Sequence, residues 1–373
     1  MLVRDKCVIT GSPNLHELHC FNKFPVYAGA TDKPMASDIF ADMDWAICKD
    51  SGMIQLKKLL PLEVVYPEYH SEAIGKVWDE HRVKFSEFIA ESIQDGNVLE
   101  IGGSNGLLSA LCLKNNSKLK WTIVDPVPSI ETDSNVTVIK GYFSKNLIKK
   151  KYDVIVHSHC LEHSLEPSAM LKDIHASLSN EGYNVFSVPN LYVYFKNKFV
   201  NTINFEHTCF LTEHFIDYLL KSIGYTVIRK EYFQEHSIFY FTQSSNPDSA
   251  VILENKYEEY LELFNSFLRY YDPLIRRFNG MIKNFHGKIY LFGGHIFSQF
   301  LLYRGLDASR IVSILDNSDK KNGQRLYGTG ISITKPKVLK EIDGAAVILK
   351  AGQYQQEIKA QLRAINKNII IWE

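Results

Sequence analysis

A chain of 373 residues, 45% hydrophobic and 12% aromatic, is long enough for two or three domains and a sizeable core. Its 42 Lys and Arg balance 42 Asp and Glu, so no basic field favours nucleic acid or an anionic membrane. No apolar run approaches the roughly 18 residues needed to span a bilayer, and the six cysteines are dispersed rather than framed as in a small secreted domain. The opening Met-Leu-Val-Arg-Asp-Lys is too charged for a secretory signal, so a soluble cytoplasmic protein is the expectation.

Residues 1–72 carry paired turn signals: Cys7-Val-Ile-Thr10-Gly, then His16, His19 and Cys20, then Cys48-Lys-Asp-Ser51-Gly. They read as a small, irregular N-terminal domain. From 73 to 250, a helical segment through Trp78, His81 and Phe85 opens an alternation of strands and helices, the pattern of a doubly wound α/β sheet. Within it, Val98-Leu-Glu-Ile is an apolar strand that runs into Gly102-Gly103-Ser-Asn-Gly106, and a helix is predicted from Leu107. Trp121-Thr-Ile-Val is a second strand, ending in Asp125. Tyr152-Asp-Val-Ile-Val is a third, followed by His157-Ser-His-Cys-Leu-Glu-His163, and a fourth leads into Pro189-Asn190. Cys112 and Cys160 lie in apolar segments and are expected in the core.

A polar break at 243–249 precedes a helical stripe, starting near Val251, through Tyr257, Tyr260, Leu261, Phe264, Phe267 and Leu268. That spacing marks a packing face and a helical connector over 251–285. Residues 286–373 repeat the strand and glycine-turn pattern with Tyr290-Leu-Phe-Gly293-Gly294-His295, then a strand ending at Asp316. This is a second, smaller Rossmann-like unit.

The glycine loop and the acid 19 residues past Gly106 are the spacing that brings a carboxylate to the ribose of a bound nucleoside. Glu100 decides between nucleosides. A carboxylate beside the loop repels a pyrophosphate but suits the ammonium and sulfonium of S-adenosylmethionine. Cofactor binding is therefore expected at Glu100, Gly102, Gly103, Gly106 and Asp125, with Ser158 and His159 lining the pocket. A dehydrogenase-like Rossmann domain is the alternative.

The motif order resembles class I methyltransferases, and over nearly its whole length the chain is similar to the nucleotide-sugar C-methyltransferases that make branched deoxysugars. The likeness rests on Tyr66, Tyr69, Ser71, Trp78 and His81, on the Glu-Ile-Gly loop, on His159-Cys-Leu-Glu-His163, on Asn204-Phe-Glu-His207, and on Phe292-Gly-Gly with Asp316 through Gly323. It implies a cofactor-binding core flanked by the two smaller domains, acting as a monomer or homodimer on a nucleotide-linked keto sugar. It also implies proton removal next to the ketone. His207 is the expected base, Glu206 orients it or a sugar hydroxyl, and Tyr66 or Tyr69 donates to the enolate oxygen.

Two departures from the family shape these expectations. Thr10 and Ser51 stand where the family has the second cysteines of a zinc site, and hydroxyls do not replace thiolates, so no metal is expected. A rebuilt site would need Cys20, His16 or His19 to join Cys7 and Cys48. Asn204 and Phe205 replace a tyrosine and a histidine near the substrate. O- or N-methylation of a related carbohydrate or small molecule, and a non-catalytic binder of the cofactor, are therefore the other readings.

Overall fold

The computed structural model describes residues 2–65, 75–130 and 136–373. The N-terminal region is more regular than expected. Strands β1 (Leu15–Pro25), β2 (Phe40–Cys48) and β3 (Ile54–Leu56) form an antiparallel sheet in the order β1-β2-β3. Register shifts between Glu17 and His19 and between Phe21 and Phe24 break the two-residue alternation of β1. That is why a strand of this length reads as irregular from sequence.

Helix α1 (Lys76–Ala90) leads into the central sheet, built from β4 (Asn97–Ile101), β5 (Lys120–Asp125), β6 (Val136–Lys140), β7 (Tyr152–Ser158), β8 (Leu178–Pro189), β9 (Tyr225–Phe233) and β10 (Ser237–Ser244). Helix α2 (Leu107–Asn115) joins β4 to β5. The strand order is β9-β10-β8-β7-β4-β5-β6, with β10 antiparallel to both of its neighbours and the other pairings parallel. Here the doubly wound expectation is met. The order reverses between β4 and β7, so their carboxyl ends make the crevice in which such sheets bind ligands.

Helix α3 (Tyr257–Asn284) begins six residues later than the predicted start near Val251. Its buried face carries Tyr260, Phe264, Phe267 and Tyr271, the predicted stripe with one more turn. Beyond it, β11 (Ile289–Phe292), β12 (Ile311–Leu315), β13 (Ile333–Thr334), β14 (Ala346–Ile348) and β15 (Ile370–Trp372) form a parallel sheet ordered β13-β12-β11-β14-β15, with helix α4 (Ile296–Tyr303) after β11. Its own reversal lies at β11. The turn that follows, Gly293-Gly294-His295, therefore sits at a second switch point.

The ends of the two sheets meet. Tyr354, just past β14, lies 6.3 Å from the His236 ring, and Gln353 donates to the Tyr194 hydroxyl at 3.4 Å. The N-terminal region is tied to the last domain by a two-oxygen grip of the Arg325 guanidinium on Asp38, both contacts 2.7 Å and both side chains largely buried. No helix among the described residues is long and apolar enough to cross a membrane.

Candidate active site

The loop after β4 is shaped by what surrounds it. Gly106 starts α2 with φ +70°, a left-handed conformation, and a Cβ there would come within 2.2 Å of Ile130 Cδ1. At Gly103 a Cβ would come within 2.8 Å of Glu100 Cδ and Ile123 Cγ2. The result is a narrow cradle against a helix N-terminus.

Glu100 lies beneath it, 4% exposed, accepting the Trp121 indole N–H at 2.7 Å. Burial pushes its carboxyl up to about 7, against the pull of that hydrogen bond. Asp125 accepts the Ser104 amide at 3.0 Å and the Val127 amide at 2.7 Å, one on each oxygen. A carboxylate has about four acceptor positions, so two remain for hydroxyls. Cys160 is not a core residue. Its thiol hangs over this loop and donates to the Ile101 carbonyl at 3.2 Å.

Across the switch point, the turn after β7 carries His159, Glu162 and His163. Ser158 Oγ pairs with Ser187 Oγ at 2.8 Å, and His159 Nε2 pairs with Ser237 Oγ at 2.9 Å. His163 Nδ1 is 3.7 Å from Glu206 Oε2, and the His163 and His207 rings stand 4.8 Å apart. One ligand-type atom each from Glu162, His163 and His207 falls within 4.8 Å of the others. Glu206 and His207, adjacent in the chain, are thus drawn to the same place as the turn after β7.

Both neighbouring segments hold that loop in position. The Asn204 side chain accepts the Glu206 amide at 2.9 Å and the His207 amide at 2.8 Å, so the residue that departs from the family pattern fixes the loop's shape. On the far side, Leu56 N–H donates to the Thr208 carbonyl and Phe210 N–H to the Ile54 carbonyl, adding the loop to the N-terminal sheet at β3. Arg4 donates to Thr208 O at 2.9 Å and to its Oγ1 at 3.1 Å, and also to the Leu165 carbonyl. Leu60, Val65, His163, Leu165, Phe205, Glu206 and Thr208 line a small cleft there.

Electrostatics separates the two acid–base candidates. Burial pushes the Glu206 carboxyl up to about 8. Burial, with smaller effects of His159 and His295, holds the His207 imidazole down to about 3. The His207 Nδ1 is buried without a hydrogen-bond partner.

Tyr66, Tyr69 and Ser71 lie outside the described residues. The N-terminal cysteines meet one another: Cys7 Sγ is 3.5 Å from Ser51 Oγ and accepts the Thr10 amide at 3.5 Å. A hydrogen bond from Cys48 lowers the Cys7 thiol. His16 turns instead to the Tyr257 hydroxyl at 2.6 Å, and Cys20 to Asn22. The two groups of at least three potential metal ligands among the described residues are elsewhere. The sequence did not single out His236, a lone histidine in the turn between β9 and β10, nor its meeting with His81 and His159. Such a meeting leaves no signal in local spacing.

Comparison with known families decides the class. A methyltransferase-domain family matches residues 75–230, and the C-methyltransferase C-terminal domain matches 245–371. The chain is an S-adenosylmethionine-dependent methyltransferase with a C-methyltransferase C-terminal domain. Among curated proteins there is no significant match. Among solved structures, this methyltransferase overlaps the N-methyltransferase NodS from Bradyrhizobium japonicum WM9, in complex with S-adenosyl-L-homocysteine, at 14% identity and TM-score 0.36, over 47% of this chain and 90% of that one. Human N-acetylserotonin methyltransferase, in complex with S-adenosylmethionine, overlaps at 13% identity and TM-score 0.38, over 50% of this chain and 61% of that one. The mitomycin 7-O-methyltransferase MmcR overlaps at 14% and 0.36, over 44% and 54%. The methyltransferase thus spans little more than half the length of the last two.

The residues present fit the cofactor: a glycine cradle that any Cβ would fill, a buried acid able to pair with an ammonium, and a carboxylate with acceptor positions to spare. Asp125→Ala is expected to weaken S-adenosylmethionine binding by about 1.5–3 kcal/mol, the worth of hydrogen bonds to a charged group. Isothermal titration of the two proteins measures it, and equal affinities would remove Asp125 from the ribose site.

Proposed function

We propose that the methyltransferase alkylates the carbon next to the ketone of a nucleotide-linked keto sugar. The observation that carries the reading is the largely buried carboxyl of Glu206, set beside His163 and His207 at the edge of a cleft and close to the switch point of the cofactor fold.

A carbon beside a ketone becomes nucleophilic only after losing a proton, and a base works best with a pKa near the operating pH. Glu206, raised to about 8, meets that requirement better than His207, held near 3. The roles expected from sequence are therefore exchanged. Glu206 takes the proton from the substrate carbon, and the electron pair left behind moves onto the ketone oxygen. His207, neutral at working pH, donates an N–H to that oxygen as charge develops. Tyr66 and Tyr69 remain proposed donors to the same oxygen, on the family resemblance alone.

Glu100 takes the ammonium of the cofactor and Asp125 its ribose hydroxyls. When bound, S-adenosylmethionine supplies an electrophilic methyl on a sulfonium. The wall formed by Leu60, Val65, Leu165 and Phe205 keeps water from the enolate. His295 after β11 acts on His207, and Tyr354 after β14 lies against His236, so residues of the C-terminal domain would shape the fit to the substrate.

A mass-spectrometric assay with S-adenosylmethionine and a panel of nucleotide-linked 4-keto-6-deoxysugars, run beside matched hydroxyl and amine acceptors, tests the reading. A methyl group is expected on carbon, in a keto sugar only. Methyl gain confined to hydroxyl or amine acceptors would overturn it in favour of O- or N-methylation.

A further inference from the structure

Three histidines from distant parts of the chain converge beside the crevice: His81 from α1, His159 from the turn after β7, and His236 from the turn between β9 and β10. Their ring centroids make a nearly equilateral triangle, 5.3 Å from His81 to His159, 5.4 Å from His81 to His236 and 5.5 Å from His159 to His236. A tetrahedral ion about 2.05 Å from three imidazole nitrogens places ring centroids about 5.3 Å apart. The triangle already has that size. One nitrogen from each ring lies within 4.8 Å of the others, against the roughly 3.4 Å of a loaded site, so loading requires the rings to turn.

The rings also lack partners. Neither nitrogen of His81 has a hydrogen bond, nor has His236 Nε2, although both side chains are 1% exposed. Buried imidazole nitrogens without partners pay their full desolvation cost, which an ion would relieve. His159 Nδ1 lies 3.3 Å from Glu162 Oε1, which makes no hydrogen bond as it stands; a small turn of either side chain would form the carboxylate-behind-histidine bond that orients metal ligands. Trp78 covers one face of the triangle, its ring 5.3, 4.8 and 4.6 Å from His81, His159 and His236.

We infer that His81, His159 and His236 form a binding site for one divalent transition-metal ion of the zinc class, with Glu162 holding His159 from behind. On loading, His159 turns Nε2 from the Ser237 hydroxyl to the ion, and that hydroxyl stays with His236 Nδ1, now 2.5 Å away. The ion ties α1, the turn after β7 and the β9–β10 turn into one unit beside the crevice. Its three ligands lie outside the Cys7–Cys48 position and the Glu206–His207 loop, with Glu162 standing between the two histidine groups, and metal binding is read without reference to any substrate.

The test uses the full chain, free of any histidine tag and stripped with a chelator. Titration with Co²⁺ is expected to give one visible-absorbing site per chain, displaced stoichiometrically by Zn²⁺. His81→Ala and His236→Ala are each expected to abolish the band, while His163→Ala, in the neighbouring Glu162–His163–His207 group, keeps it. Should a variant fail to fold, X-ray absorption of the zinc-loaded wild type decides. A nitrogen shell at about 2.0–2.1 Å with imidazole scattering supports the site, and a sulfur shell near 2.3 Å would place the ion at the cysteines and overturn it. No stoichiometric binding by the wild type, or a band that persists in both variants, also overturns it.

Discussion

Glu206→Gln is expected to slow proton removal from the keto sugar by about 10²–10⁴-fold, the span over which a positioned general base contributes. Cofactor affinity should not change, because Glu206 belongs to the loop that pairs with β3 rather than to the glycine cradle. His207→Asn removes a donor to the enolate oxygen and is expected to cost about 10²–10³-fold. The two variants differ in how their rates respond to pH. With Glu206 intact, as in His207→Asn, the rate keeps its dependence on ionising a carboxyl near pH 8; without it, as in Glu206→Gln, that dependence disappears. Stopped-assay rates at saturating substrate over pH 5–9 measure both. The titrating groups nearest Glu206 are His163 and, grouped with it, Glu162 and His207.

Phe267→Ala is expected to destabilise the chain by about 3–5 kcal/mol, the usual cost of removing a buried aromatic ring. Phe267 is fully buried on α3, and its ring lies 5.0 Å from Phe195 in the cofactor domain, 5.2 Å from Tyr271 on its own helix and 5.7 Å from Phe300 on α4. The Phe195 ring in turn lies 4.2 Å from that of Phe210, which is hydrogen-bonded to β3. One ring therefore joins the aromatic contacts of three regions, and its loss leaves a cavity among side chains that cannot all collapse into it. Urea unfolding of the variant and the wild type gives the difference. A change below about 1 kcal/mol would mean that the regions are held together elsewhere, with the Arg325–Asp38 pair the next place to look.

How much of this could be read from the chain follows from the range of each signal. The glycine loop, Glu100 and Asp125 were legible because a strand, a turn and a helix follow one another within 28 residues, from Val98 to Asp125. The stripe on α3 was legible because helical spacing is local. The N-terminal sheet was not, since the shifts in β1 erase its alternation. Asn204 looked like a lost active-site residue, whereas its side chain shapes the turn that presents Glu206 and His207. The exchange of roles proposed for those two residues was out of reach altogether. It depends on how far each side chain is buried, which only the fold decides. His81, His159 and His236 are separated by 78 and 77 residues, and no pattern along the chain relates them.

Proton removal from the carbon next to a ketone by the Glu206 carboxyl is read from the rate at which solvent deuterium enters that carbon of a nucleotide-linked keto sugar, followed by NMR against pH. Wash-in is expected to climb about tenfold per pH unit below 8 and to level off above it, as Glu206 ionises. A rate flat from pH 5 to 9 would fit His207, neutral throughout, and contradict the assignment of Glu206. No deuterium uptake at any pH, in an enzyme that binds S-adenosylmethionine, would contradict carbanion chemistry itself.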